Sequence, residues 1–289
     1  MMLTGKARLA GVLGWPVSHS QSPRLHGFWL EQYGIDGAYL PLPVEPAYFA
    51  DAVRSLVRLG FRGANVTVPH KEAAFRLCQE DGNSLTERAR AVGSVNTLIF
   101  EADGRILGDT TDGFGFVENL RAGVPGWDAA AGPALILGAG GAARSVIAAL
   151  QDAGCPEVIL TNRGRERAEA LAADLNGGRT TSLRVVDWDQ RHAACDGIAL
   201  LVNTTSLGMT GQPPLDLDLS ALPDRALVTD IVYAPLETDL LAEARRRGNP
   251  VVDGLGMLLH QARPGFAAWF GVVPEVTEAL RAHIISGRK

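Results

Sequence analysis

Ala134-Leu135-Ile136-Leu137-Gly138-Ala139-Gly140-Gly141-Ala142-Ala143 decides how this chain folds. Four consecutive apolar residues read as a strand buried on both faces, the kind found in parallel sheets. A glycine-rich turn follows at once, then an alanine-rich helix to Asp152. Gly138, Gly140 and Ala143 fall on the three small-residue positions of a dinucleotide-binding loop: the first for the tight turn, the second for close approach of a pyrophosphate, the third for helix–strand packing. The helix start offers N–H groups to the phosphates. A glycine turn alone can be only a turn, but between this strand and this helix it reads as a cofactor loop.

Downstream the alternation continues, with strand Val158 to Thr161, helix Glu166 to Leu175, and strands Leu183 to Val186, Ala199 to Val202 and Ala226 to Ile231. That pattern predicts a doubly wound sheet. An NAD site carries an acidic group about 20 residues after the loop, to accept the ribose 2′-OH. Here the strand instead ends Leu160-Thr161-Asn162-Arg163, with Arg165 and Arg167 following. Guanidinium groups suit a 2′-phosphate, so the cofactor predicted is NADP, with Asn162 and Arg163 ahead of Arg167 as its contacts. The plainer reading is a solvated basic helix start, with Glu166 and Glu169 nearby.

Upstream, a Gly/Pro/Ala-rich stretch near 122–133 separates this half from the first. There the pattern predicts strands Leu9 to Leu13, Ala38 to Leu42 and Gly63 to Val68. It also predicts helices Ser22 to Tyr33, Pro46 to Leu59 and one opening at Pro69, and a hairpin of Val95 to Phe100 with Arg105 to Leu107. Leu255 to Phe270 and Pro274 to Ile285 read as helices, and a further helix follows Gly113. At 289 residues, 46% hydrophobic and 20% charged, the chain has material for two cores. A net charge of -5 argues against nucleic acid or an anionic membrane as partner. Cys78, Cys155 and Cys195 are too sparse for a disulfide framework or a metal site, and no run is long enough to span a membrane. The expectation is a soluble, cytoplasmic enzyme without a metal.

Four polar stretches fall where strands of the first half end: Gly14-Trp15-Pro16-Val17-Ser18-His19-Ser20-Gln21-Ser22-Pro23, Gly63-Ala64-Asn65-Val66-Thr67-Val68-Pro69-His70-Lys71, Gly93-Ser94-Val95-Asn96-Thr97, and Gly108-Asp109-Thr110-Thr111-Asp112-Gly113. Ligands of open α/β sheets bind outside the carboxyl ends of strands, so four such stretches could share one pocket. Together with Asp230-Ile231-Val232-Tyr233 and Asp253-Gly254-Leu255-Gly256-Met257-Leu258-Leu259-His260-Gln261-Ala262, in this order and spacing, they resemble the shikimate/quinate dehydrogenase family over nearly the whole chain. Trp15, where the family commonly has asparagine, Gly27, Thr110-Thr111 and Gly256 depart from its usual pattern.

The alternating pattern places a Rossmann-type doubly wound NADP-binding domain at 113–253, and with the resemblance the α/β protein has a second, N-terminal α/β substrate-binding domain, residues 1–112 plus 254–289. The resemblance implies reduction of 3-dehydroshikimate by NADPH, with no nucleic acid or membrane partner and either a monomer or a homodimer. Carried over residue by residue, the substrate carboxylate falls to Ser20 and Ser22, with Tyr233 on the same side. The ring hydroxyls fall to Thr67, Asn96, Asp112 and Gln261, and the catalytic pair is Lys71 and Asp112. The cofactor falls to Gly138, Ala139, Gly140, Gly141, Ala142, Asn162, Arg163, Arg167, Ile231 and Gly254. Each has a duller reading: Ser22 as a cap before Pro23, Lys71 as a surface lysine, Asp112 as a cap of the helix after Gly113. His19, His70 and His260 read as packing groups or as supports behind the site residues. The competing functions are a quinate/shikimate dehydrogenase with broader substrate or NAD use, another Rossmann dehydrogenase such as a folate-linked one, and a non-catalytic NADP-binding sensor.

Overall fold

The computed structural model of the protein describes residues 3–177 and 180–287. The chain divides into two compact units, Met1–Thr111 with Leu259–Lys289, and Asp112–Leu258. In the first, strands β1 (Arg8–Gly14), β2 (Gly37–Pro43), β3 (Gly63–Val66), β4 (Ser84–Leu85), β5 (Thr97–Phe100) and β6 (Ile106–Asp109) form one sheet in the order β2-β1-β3-β5-β6-β4. Helices α1 (Ser22–Gln32), α2 (Phe49–Arg58), α3 (Lys71–Leu77) and α4 (Glu87–Val92) connect them. β1 is parallel to β2 and β3, whereas β5 is antiparallel to both β3 and β6. The carboxyl ends of β1, β3 and β6 and the amino end of β5 therefore share one edge.

The second unit holds α5 (Asp112–Gly123), β7 (Ala134–Leu137), α6 (Gly141–Asp152), β8 (Glu157–Thr161), α7 (Arg165–Leu175), β9 (Ser182–Val186), β10 (Leu200–Asn203), β11 (Leu227–Asp230), α8 (Asp239–Arg247) and β12 (Val251–Val252). Its sheet runs β12-β11-β10-β7-β8-β9, all parallel. This is the doubly wound dinucleotide-binding order, with its reversal between β7 and β10. Burial on both sides explains the unbroken apolar run of β7: Ala134 and Ile136 enter one core with Val146 and Leu150, while Leu135 and Leu137 enter another with Leu241 and Val228.

Helices α9 (Leu255–Phe270) and α10 (Glu278–Ser286) close the chain, and residues from 259 onward complete the first unit. The Trp269 indole donates to Leu98 O at 3.0 Å and the Trp29 indole to Glu275 O at 3.0 Å. Gly63 is glycine because a Cβ there would lie 2.1 Å from both Leu98 O and the Trp269 nitrogen.

Some boundaries differ from the sequence expectations. The third helix begins at Lys71 rather than Pro69, since a turn closed by His70 N–H on Thr67 O comes first. The last begins at Glu278 rather than Pro274, because the Glu275 carbonyl is held by Trp29 and the Thr277 hydroxyl caps the helix through Leu280 N–H. The short elements β4, α4 and β12, together with α8, are additional to those expected.

Candidate active site

The shared edge of the first sheet gathers most of the predicted polar residues. Past β1, Ser20 and Ser22 sit half-buried at the start of α1, with Ser22 N–H donating to Ser20 Oγ at 3.3 Å. Ser22 is not an N-cap: Gln21 holds that place and makes no side-chain cap. Past β3 comes Thr67, whose N–H donates to Leu13 O at 2.9 Å. A Cβ on Gly14 would meet Thr67 Cγ2 at 2.6 Å, so the two strand ends can approach only because residue 14 is glycine. Lys71 opens α3, its carbonyl receiving Val95 N–H at 3.2 Å. Beside it His70 packs on Phe49 and bonds Val44 O at 2.7 Å, a packing role as expected.

Asn96 stands at the start of β5. Its Oδ1 accepts from Thr111 N–H at 2.9 Å, Thr111 Oγ1 at 3.2 Å and Thr97 Oγ1 at 2.9 Å. Thr111 directly precedes Asp112, which is buried at the head of α5. Asp109 anchors the same turn, accepting from Thr86 Oγ1 at 2.7 Å, Arg88 Nε at 2.6 Å and Thr110 N–H at 2.8 Å. Arg88, on α4, escaped the sequence reading, because its partner lies 21 residues away at the end of β6. Gln261 lies half-buried on α9.

In the second unit the loop after β7 sits at the reversal of the sheet. Gly138 has φ +105°, and a Cβ there would meet Thr204 Oγ1 at 2.8 Å and Thr205 Cγ2 at 2.9 Å. Thr204 in turn binds Leu137 O through Oγ1 at 2.7 Å. α6 starts behind Gly140 with no side-chain cap, and space around Gly140 and Gly141 is open. Uncapped N–H groups beside an open glycine loop fit a pyrophosphate. Beyond β8, Asn162 Nδ2 donates to Gly164 O at 2.9 Å. Arg167 Nε donates to Ala139 O at 3.0 Å, tying α7 to the glycine loop. Arg163 is exposed and makes no ion pair with the described residues.

β11 ends in Asp230, a residue the sequence reading quoted without a role. Its Oδ1 accepts from Asn203 Nδ2 at 3.0 Å and Val232 N–H at 2.9 Å, and its Oδ2 from Thr238 Oγ1 at 2.8 Å. The carboxylate thus holds both ends of the loop that carries Ile231 and Tyr233. Burial pushes its pKa up to about 6, against the lowering effect of those donors. Gly254 packs on this loop, where a Cβ would lie 2.4 Å from Ile231 O. Among the described residues no cluster of His, Cys, Asp or Glu could hold a metal, and no helix is long and apolar enough to cross a membrane.

Two family descriptions match the chain: the shikimate dehydrogenase substrate binding domain over residues 12–98, and shikimate / quinate 5-dehydrogenase over 126–206. The shikimate dehydrogenase (NADP(+)) of Paramagnetospirillum magneticum is 63% identical over 284 residues, spanning 98% of this chain and 100% of the relative. Among solved structures, shikimate 5-dehydrogenase from Thermus thermophilus, in complex with NADP(H) and shikimate, is 35% identical. It superposes with a TM-score of 0.82 over 96% of this chain and 99% of that one. Quinate dehydrogenase from Corynebacterium glutamicum, in complex with NAD, is 30% identical with a TM-score of 0.88, covering 97% and 99%.

Proposed function

The chain belongs to the shikimate dehydrogenase family, and from that premise we propose that it catalyses the reversible, NADPH-dependent reduction of 3-dehydroshikimate to shikimate in aromatic amino-acid biosynthesis. The observation that carries the reading is the convergence of Ser20, Ser22, Thr67 and Asn96 on one sheet edge, with Lys71 opening the next helix. Hydroxyls and an amide suit a small polyhydroxylated carboxylic acid. In this reading residues 1–112 with 254–289 bind substrate and 113–253 bind NADP.

Ser20 and Ser22 donate to the substrate carboxylate, and Tyr233 is assigned to the same group. Thr67, Asn96, Asp112 and Gln261 hold the ring oxygens. Gly138 to Ala142 and the start of α6 cradle the pyrophosphate, Ile231 and Gly254 line the nicotinamide end, and Asn162, Arg163 and Arg167 surround the 2′-phosphate. When bound, NADPH supplies the hydride that reaches the ketone carbon. Negative charge then grows on the ketone oxygen, and the Lys71 ammonium stabilises it and delivers the proton. Asp112 orients Lys71 and a substrate hydroxyl. In the oxidative direction Lys71 accepts the proton back.

The test is shikimate-dependent reduction of NADP, followed by nicotinamide absorbance. Wild type turns over, and Lys71→Ala loses roughly 10²–10⁴-fold in kcat while still binding shikimate. Binding of NADP without turnover of either acid would instead identify a sensor. A quinate dehydrogenase reading is kept in view by the Corynebacterium glutamicum relative. Ranking kcat/KM for the four combinations of shikimate or quinate with NADP or NAD separates it. The expected winner is shikimate with NADP, since an arginine follows β8 where NAD enzymes place a carboxylate. A homodimer working in the cytoplasm completes the proposal, its assembly to be read by sedimentation.

A further inference from the structure

Behind Asn96 runs a line of side chains that none of the assigned roles uses. The Tyr39 hydroxyl donates to Asn65 Oδ1 at 2.6 Å. Asn65 Nδ2 donates to Asn96 O at 3.2 Å and to Thr97 Oγ1 at 3.1 Å. The Thr97 hydroxyl passes its own proton to Asn96 Oδ1 at 2.9 Å. Tyr39 is itself clamped, its ring stacked on His26 at 4.0 Å and tilted against Trp269 at 6.0 Å. Tyr39, Thr97 and Asn96 are all at least nine-tenths buried.

The direction of every bond in this line is settled by backbone groups at its two ends. The Asn96 carbonyl can only accept, so the end of Asn65 facing it is the NH₂ group, and Oδ1 must face Tyr39. The Thr111 N–H can only donate, so the end of Asn96 facing it is Oδ1. Three donors converge on that oxygen, so any amide rotation would set Asn96 N–H groups against the N–H of Thr111. A ligand that binds the Asn96 amide therefore meets a donor, Nδ2, and not Oδ1, which three donors already occupy.

We infer that Thr97, Asn65 and Tyr39 are positioning residues that fix the Asn96 amide with Nδ2 toward the substrate ring, so that Asn96 donates to a ring oxygen and does not accept from it. The inference rests on the proposed substrate. The Ser22 side chain also adjoins the Tyr39 hydroxyl, so the same line reaches a residue assigned to the carboxylate. A polar strand interior costs desolvation that an apolar one would not, and here that cost is repaid as orientation of one amide.

The experiment compares Thr97→Val with Thr97→Ser. Valine keeps the branched shape and loses the hydroxyl, whereas serine keeps the hydroxyl and loses a methyl. Thr97→Val should raise the shikimate KM roughly tenfold, the worth of one oriented hydrogen bond, with kcat and the NADP KM nearly unchanged. Thr97→Ser should restore most of the loss. In an Asn96→Ala background Thr97→Val should have no further effect, because the group it positions is gone. Tyr39→Phe, which leaves its ring stack intact, repeats the cycle with a smaller rise and serves alone should Thr97→Val not fold. Equal losses in the valine and serine variants, or a Tyr39→Phe or Thr97→Val loss that persists without Asn96, would overturn the inference. Absent shikimate turnover in wild type would instead remove the substrate assignment beneath it.

Discussion

Three arginines follow β8 within five positions, and their surroundings distinguish them. Arg165 is spent on Glu169 and Asp187, both at 2.7 Å, and Arg167 holds Ala139 O at 3.0 Å. Arg163 pairs with no acidic side chain among the described residues, which makes it the strongest candidate for the 2′-phosphate. Arg163→Glu should lower the ratio of kcat/KM for NADP over NAD by roughly 10–100-fold, the worth of a charge-assisted hydrogen bond. Arg165→Glu should leave that ratio within a few-fold. An Arg165 effect equal to that of Arg163 would reverse the assignment. The sequence showed that the run is basic and where it falls, and hence the cofactor. It could not show which arginine is occupied, since Asp187 and Ala139 are brought alongside only by the fold.

Short elements place the polar groups, and they are where sequence reading was weakest. Helix α4 spans six residues, too few for an apolar periodicity to register, and depends on Thr86 at its start. The Thr86 hydroxyl accepts from Ala89 N–H at 3.2 Å and donates to Asp109 at 2.7 Å. Thr86→Ala should therefore cost about 1–2 kcal/mol of stability, measured by denaturant unfolding, and loosen the turn leading to Thr111. Elements with a distinctive local signature were legible even when short: β7 through its unbroken apolar run, α6 through its alanines, the β5–β6 hairpin through its turn. The line from Tyr39 to Asn96 was not, although Asn65 and Asn96 stood in quoted motifs. It depends on register, with Asn65 opposite Thr97 and Tyr39 opposite Ala10. One chain of letters carries no register between strands so far apart. Motifs gave the residues proposed to face a ligand, and strand pairing gave those behind them.

Two buried groups, one in each unit, respond to acid in opposite directions. In the first, His26 is fully buried among Trp29, Tyr39, Phe266 and Trp269, and burial pushes its pKa down to about 3. An unfolded histidine titrates near 6.5, so in between the unfolded chain binds more protons and stability falls as pH falls, by up to ~5 kcal/mol. In the second, Asp230 titrates at about 6 when folded, above its unfolded value near 3.8. Stability from that group is present below pH 4 and lost as pH rises through 6, by up to ~3 kcal/mol. His26→Phe should flatten the loss of stability between pH 6.5 and 4, and Asp230→Asn should remove the opposing slope, both read from denaturant melts across pH. An unchanged acid arm in His26→Phe would place the proton uptake elsewhere. The C-terminal helices have another consequence, which concerns time. The first sheet is synthesised early, yet Phe266, Trp269 and Phe270 of its core are made only after the whole of the second unit. The unit 112–258 is continuous in sequence and can fold while the chain is still growing, whereas the earlier-made unit must wait for α9, which is made after it. A chain truncated near residue 260 should thus resist protease across its second sheet and be cut in its first.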